Sequence, residues 1–183
     1  MRIIGGELKG RRLAVPEWCG LRPTSDRLRE TMFNILRDDV QGAAVLDCYA
    51  GTGAIGIEAI SRGASKVTFI DHDLRAVSLV ELNVARCGVT ALVDVTLGVL
   101  PEALSRFAPA TCFDLVLLDP PYKFDTNARD AILSAVASYV RDHGKIVMEM
   151  DRRDTTVNVA GLTQTRRVTS GDSALDFYVR DAS

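Results

Sequence analysis

The sequence predicts a doubly wound α/β fold: a mostly parallel, seven-stranded sheet with helices on both faces and an antiparallel hairpin at its C-terminal end. Three observations carry that expectation. From about residue 43 onward, five short apolar runs alternate with amphipathic stretches, the pattern of parallel strands joined by crossover helices. The closing stretch "LTQTRRVTSGDSALDFYVRD" places β-branched and aromatic residues on both sides of Ser170-Gly171-Asp172, which reads as two more strands around a turn. No repeat, low-complexity tract or long linker interrupts the 183 residues, and 47% apolar content supplies one real core rather than two.

Taken in order, the chain opens with "MRIIGGELKGRRLAVP", apolar pieces broken by Gly5-Gly6 and Gly10. Such a stretch suits a small β-hairpin or extended arm better than a helix, and we set residues 1–22 apart as that arm and 23–183 as the main domain. In "TSDRLRETMFNILRDDV", Ser25 is a helix N-cap with Asp26 in the first turn, and Leu28, Met32, Phe33, Ile35 and Leu36 make an apolar face. The strand candidates are "AAVLDCY" (43–49), "KVTFID" (66–71), "LVDVTLG" (92–98), "FDLVLLD" (113–119) and "KIVMEM" (145–150), with helices expected at about 54–62, 73–87, 100–107 and 127–141. Gly88 is placed to stop the second of these helices.

Charge and cysteine usage narrow the classes. The formal net charge of −2 gives no global sign of a polyanionic or membrane partner, but residues 1–29 hold seven Lys/Arg against three acids. That makes the start +4 and leaves −6 for everything after it. The N-terminus lacks the apolar core of a signal peptide and no apolar run approaches the ~20 residues that cross a bilayer, so a cytoplasmic protein is expected. Cys19, Cys48, Cys87 and Cys112 are far apart, without C-x-x-C or paired histidine spacing. They read as reduced thiols, and no metal site is expected.

The stretch "VLDCYAGTGAIGIEA" carries a literal G-x-G-x-x-G at Gly51, Gly53 and Gly56. A glycine-rich turn between strand and helix lets a backbone approach a ligand while the helix N-terminus offers free N–H groups. Nicotinamide-dinucleotide and S-adenosylmethionine enzymes both use it, and context separates them. Here Asp47 stands four residues ahead of Gly51, where a carboxylate suits the ammonium of S-adenosylmethionine and is badly placed beside a pyrophosphate. Gly56 would then serve close helix packing. Asp71, ending the second strand, can accept two ribose hydroxyls in either cofactor class, with an N-cap for the 73–87 helix as its plain structural alternative.

At the end of the fourth strand stands "LLDPPYKF". An exocyclic amine on a nucleobase has its lone pair delocalised into the ring, and it attacks only when acceptors hold its hydrogens and let the nitrogen pyramidalise. Asp119 and the carbonyl of Pro120 are such acceptors, the two prolines stiffen the turn, and Tyr122 offers a face on which an extruded base can stack. The sulfonium supplies an activated methyl and a good leaving group, so positioning is what remains for the protein.

These motifs resemble the class I S-adenosylmethionine-dependent methyltransferases that act on amines, which have a Rossmann-like sheet. More narrowly, the chain resembles the bacterial small-subunit (16S) ribosomal RNA (guanine-N2) methyltransferases. "MRIIGGELKGRRL", "RPTSDRLRETMFNIL", "LDCYAGTGAIGIEAISRGA", "DPPY" and "GDSALDFYVR" carry the likeness over nearly the whole length. The resemblance implies S-adenosylmethionine as cofactor, with Asp47, Ala50, Gly51, Thr52 and Gly53 at its methionine part and Asp71, bordered by His72, at its ribose. It puts Gly98, Val99 and Leu100 at the adenine edge, and Asp119, Pro120 and Tyr122 at the target base, with Asp119 also bordering the cofactor. It further implies a monomeric enzyme whose partner is 16S rRNA within an assembled or assembling small subunit. Arg2, Lys9, Arg11 and Arg12 would contact phosphates from a protruding arm, with a solvated charged edge as the alternative, and Arg22 would join them or brace the active-site floor.

Two departures mark this chain: Cys48-Tyr49 stands where the family more often has Leu-Phe, and positions 98–100 match loosely. His72 and His143 have no nucleophile or metal partner in the sequence. The rivals are an adenine-N6 methyltransferase, a protein-glutamine methyltransferase (which usually has Asn at position 119), an NAD-dependent oxidoreductase and a non-catalytic RNA-binding module.

Overall fold

The computed structural model describes residues 1–16, 18, 25–108, 112–121 and 126–182; Cys19, Arg22 and Tyr122 lie outside the described residues. The elements follow the chain as α1 (Asp26–Leu36), β1 (Ala44–Cys48), α2 (Ala54–Ser61), β2 (Lys66–Asp71), α3 (Leu74–Cys87), β3 (Val93–Leu97), β4 (Phe113–Leu118), α4 (Thr126–Ala137), β5 (Val140–Asp151), β6 (Leu162–Ser170) and β7 (Ser173–Arg180). One seven-stranded sheet runs in the order β3-β2-β1-β4-β5-β7-β6. Strands β1 to β5 pair in parallel, and β7 joins antiparallel to both β5 and β6. The chain moves outward from β1 through β2 to β3, then crosses back to lay β4 on the other side of β1. That reversal opens a crevice at the carboxyl ends of β1 and β4, where open α/β sheets take their ligands.

Strand alternation divides the core in two. Val45, Val67, Phe69, Leu115, Leu117 and Val147 pack with the apolar faces of α1, α2 and α3. Leu46, Cys48, Ile70, Val116, Leu118, Ile146 and Met148 pack with Ile132, Leu133 and Val136 of α4. Helix α1 begins as expected, with the Ser25 hydroxyl accepting the Leu28 N–H at 3.2 Å. Helix α3 ends at Gly88, whose φ of 73° is the left-handed conformation that closes a helix. Among the described residues no helix is long and apolar enough to cross a membrane.

Three segments differ from expectation. Residues 100–107 form only a short 3-10 stretch, Glu102–Arg106, behind Pro101. The helix expected over 127–141 stops at Ala137, and β5 starts at Val140 rather than 145. The cause is a bulge: Phe113 pairs with Val140 but Leu115 with Lys145, and His143, at φ 61°, lies in the extra residues. A polar, glycine-containing "RDHG" thus interrupts one strand instead of preceding it.

The third difference concerns residues 1–16, whose expected hairpin pairing is present but which lie as a strap on the core rather than protruding. Arg2 bridges Arg12 in antiparallel fashion, flanked by bonds from the Ile3 N–H to the Arg11 carbonyl at 3.0 Å and from the Leu13 N–H to the Met1 carbonyl at 3.2 Å, while Ile3 and Leu13 are buried in the core on the α1–α3 side. Fully buried Glu58 of α2 accepts the N–H groups of Ile4 and Gly5 at 2.8 and 2.7 Å. The Ser61 hydroxyl accepts the Leu8 N–H at 2.9 Å, and the Ser61 carbonyl accepts the Glu7 N–H at 2.7 Å. Arg29 of α1, also fully buried, donates to the Arg2 carbonyl at 2.9 Å and to Asp26 at 2.7 Å. One of the seven basic residues counted at the N-terminus is therefore a structural fastening, with its guanidinium pKa lowered by burial.

Candidate active site

The site grows from the carboxyl ends of β1, β2 and β4. On these strands Val45, Phe69 and Leu117, each two residues before an aspartate, face the α1–α3 side of the core. Asp47, Asp71 and Asp119 continue the same alternation, so three carboxylates line one face of three adjacent strands. Asp119 borders a crevice that also includes Leu28 and Met32 of α1 and Ile55 of α2.

The loop after β1 is fixed at nearly every peptide. Tyr49 leaves the strand at φ 62°, uncommon for a non-glycine residue, and packs against the α4-side core. The Ala50 N–H donates to the Ile70 carbonyl at 3.1 Å, and the Gly53 N–H to the Ala50 carbonyl at 2.8 Å. Gly51 (φ 57°) and Gly53 (φ 74°) both need the left-handed region that glycine enters without strain. The Gly51 N–H donates to Asp71 Oδ2 at 2.9 Å, and the Thr52 carbonyl accepts from Asn83 Nδ2 at 2.9 Å.

Asp47 is 1% exposed and accepts the Gly56 N–H at 2.8 Å. Burial pushes its carboxyl pKa well up; the Gly56 N–H opposes the shift, and the nearby Asp119 and Asp71 carboxylates add to it. A cation set beside these three acids relieves both their repulsion and their lost hydration, whereas a phosphate would add to both. Gly56 does what its place in the motif suggested: a Cβ there would lie 2.3 Å from Phe69 Cε1 and 2.8 Å from Val67 Cγ1. Its role is close packing of α2 on β2, together with a bond to Asp47.

Asp71, also buried, accepts the Gly51 N–H through Oδ2 and the Asp73 N–H through Oδ1, each at 2.9 Å. The N-cap of α3 is Asp73, which accepts the Arg75 N–H at 2.8 Å; that structural role does not fall to Asp71. Hydrogen bonds from Arg75 hold the Asp73 carboxyl down, to about 2. His72 is exposed, its Nδ1 3.4 Å from Asp71 Oδ1.

The segment 98–100, expected at the adenine edge, follows β3 beside Asp71. Leu97 pairs with Asp71 across β2–β3, and the Gly98 N–H donates to the Asp71 carbonyl at 2.9 Å. Val99 is 61% exposed, whereas the Leu100 side chain turns into the α4-side core. Leu74, 63% exposed at the start of α3, and Leu97 at 42% are further apolar side chains on the elements bordering Asp71. Sequence reasoning counts Leu74 towards the helical spacing of 73–87 and not towards the site; its signal was an apolar residue three places after Asp71.

At β4, the Asp119 N–H lies 3.5 Å from the Cys48 carbonyl. Pro120 is buried and Pro121 exposed. Glu149 of β5, 7% exposed, borders the same crevice as Asp119. It went unnoticed in "KIVMEM", though an acid in an otherwise apolar strand, next to a second strand that ends in an acid, was a readable signal. Asn83 was also missed, because a lone amide in a helix has no motif. Of the basic residues, Arg2, Lys9, Arg11 and Arg12 are all exposed on the strap, and Arg11 reaches the Arg86 carbonyl at 3.2 Å.

Comparison with known proteins gives three findings. The family model described as conserved hypothetical protein 95 matches residues 1–179. Ribosomal RNA small subunit methyltransferase D of Escherichia coli K12 is 36% identical over 187 residues, covering 100% of this chain and 91% of that protein. Among solved structures, yhhF from Escherichia coli superposes with a TM-score of 0.88 at 33% identity, covering 100% of this chain and 99% of the other. An RNA methyltransferase from Salinibacter ruber, in complex with S-adenosyl-L-homocysteine, shares the fold at TM-score 0.68 and 18% identity over 88% of this chain and 95% of its own.

Proposed function

The chain belongs to the conserved hypothetical protein 95 family, and we propose that it transfers the methyl group of S-adenosylmethionine to the exocyclic N2 amine of a guanine in 16S rRNA. The observation that carries this reading is the row of Asp47, Asp71 and Asp119 on one sheet face, beside a glycine loop and a Pro-Pro turn. The matched Escherichia coli methyltransferase and the fold neighbour that holds S-adenosyl-L-homocysteine support the same assignment. The donor set fits the cofactor's charge: Asp47 is buried, its ionised form is disfavoured until a cation arrives, and Asp71 and Asp119 stand close by.

When bound, the sulfonium supplies an activated methyl and a neutral thioether leaving group. Asp47 and the Ala50–Gly53 loop hold the methionine part, and Asp71 takes the ribose hydroxyls through the lone pairs left by Gly51 and Asp73. The exposed apolar side chains of Leu74, Leu97 and Val99 give the adenine a face to cover. Asp119 and the Pro120 carbonyl accept the hydrogens of the target amine, freeing the nitrogen lone pair for in-line attack and receiving positive charge as it develops. Tyr122, outside the described residues, is assigned by its place in the motif to stack on the base. The exposed basic strap and Arg22 take phosphates in a sequence-blind way.

The test is product identity. Undermodified 16S rRNA or small subunits are incubated with the protein and methyl-labelled S-adenosylmethionine, digested, and resolved into nucleosides. Label in N2-methylguanosine is expected. Label in N6-methyladenosine, or in protein alone, overturns the reading.

A further inference from the structure

The strap and the glycine loop are distant in sequence yet meet on one side chain. Asn83, in the middle of α3, is fully buried. Its Oδ1 accepts the Ala14 N–H at 2.7 Å, and its Nδ2 donates to the Ala14 carbonyl at 3.1 Å. The same Nδ2 donates its other hydrogen to the Thr52 carbonyl at 2.9 Å. One planar carboxamide thus pairs with the strap as a neighbouring strand would, and with the loop between its two left-handed glycines. It cannot turn to suit one partner without leaving buried polar groups of the other unmet. Two further contacts run the same way: the Thr52 hydroxyl lies 3.4 Å from Met1 Sδ, and the Trp18 ring lies under Arg75, 5.1 Å from its guanidinium carbon, next to the Asp71 corner.

We infer that Asn83 is a positioning residue coupling the two substrates: through its carboxamide, the strap that takes RNA phosphates fixes the Thr52 carbonyl of the cofactor loop, so each substrate tightens the other. The inference rests on the proposed function, which assigns RNA to the strap and the cofactor to the loop. The sign follows from the construction. The strap is a small hairpin outside the seven-stranded sheet, so its docked population depends on the burial of Ile3 and Leu13 and on its bonds to Glu58, Ser61, Arg29 and Asn83. Phosphates drawn to Arg2, Lys9, Arg11 and Arg12 favour the docked strap; the docked strap holds Asn83, and Asn83 holds the loop. Ligands that favour the same state bind cooperatively, by the same factor in both directions. The staple at Glu58 and Ser61 also holds the strap but reaches no peptide of the loop, which makes it the control.

The full-length chain is titrated with S-adenosyl-L-homocysteine, alone and with undermodified small ribosomal subunits; subunit affinity is then measured with and without S-adenosyl-L-homocysteine. Both ratios should agree at about fivefold or more. Asn83→Ala should bring them to about one while each ligand alone still binds. Asn83→Ser keeps a neutral polar group beside Ala14 but is too short to hold both partners, and should do the same even if the alanine variant fails to fold. Ser61→Ala should weaken subunit binding and keep the ratio. A wild-type ratio of one with both ligands bound, or a ratio untouched in both Asn83 variants, overturns the coupling and leaves the proposed function standing. Wild-type protein that binds no S-adenosyl-L-homocysteine overturns both.

Discussion

The loop after β1 and the turn after β4 sit side by side at the switch point and are built in opposite ways. The first is held by hydrogen bonds to its peptides from Asp71, Asn83 and the Ile70 carbonyl, and by a glycine-to-acid bond beneath it. Among the described residues of the second, the Asp119 N–H approaches the Cys48 carbonyl at 3.5 Å, and two proline rings stiffen the turn. A cofactor that binds in every cycle rewards a preformed cradle. A base that must be extruded from RNA is better served by a short turn offering acceptors to a group that arrives late. Substitutions in the two should therefore part binding from turnover.

The sharpest separation is expected at Asp119. Asp119→Ala should leave calorimetric affinity for S-adenosylmethionine near the wild-type value and lower methyl transfer by roughly 10²-fold or more, the scale of losing one positioned catalytic group. Near-normal turnover would remove Asp119 from the mechanism and erase the contrast between the two turns.

Asp47→Asn should act on the other side. Because burial raises the Asp47 pKa, the folded chain holds a proton that the unfolded chain has lost, over the pH range from the ordinary carboxylate value up to the raised one. There the ligand-free fold loses stability as pH rises. Cofactor binding favours the ionised form, so wild-type affinity should climb with pH across that range. Asparagine can still accept the Gly56 N–H but carries no charge. The variant should melt higher, bind about tenfold more weakly, as loss of a charged hydrogen-bond acceptor implies, and show a flat pH profile. Retained pH dependence would place the titrating group elsewhere.

Gly56→Ala tests the floor beneath the cradle. Its Cβ would meet the Phe69 ring and Val67 inside van der Waals distance, an overpacking that should destabilise the fold by about 1–3 kcal/mol, read as a lower Tm. If Tm holds and only cofactor affinity falls, Gly56 belongs to the ligand after all.

Much of this was legible in the sequence, and the limits have physical causes. Strand ends were readable because apolar runs close on acids, so Asp47, Asp71 and Asp119 announced the strands and marked the candidate site. Ser25 and Gly88 marked helix ends because caps are local chemistry. The strap's hairpin was legible but its docking was not: its glycines and bases describe a surface arm, and nothing local shows that Glu58 and Ser61, more than fifty residues on, satisfy its amides. The same blindness hid Asn83 and made Arg29 look like a surface charge. The early start of β5 was missed because a bulge through His143 and Gly144 looks in one dimension like a turn.

The smallest effect should come from the strap's charges, and it sharpens the comparison by touching neither turn. Replacing Lys9, Arg11 and Arg12 by Ala removes three exposed cations and leaves the buried fastenings at Ile3, Leu13 and Glu58 intact, so melting temperature and affinity for S-adenosylmethionine alone should barely move. What should change is the salt dependence of RNA binding: at roughly 0.7 of a unit per phosphate contact on unpaired RNA, the log–log slope should become shallower by about two units. Turnover at low salt, where the remaining attraction suffices, should approach wild type and fall behind as salt rises. An unchanged slope would make these residues a solvated edge and confine RNA recognition to the β4 side of the switch point.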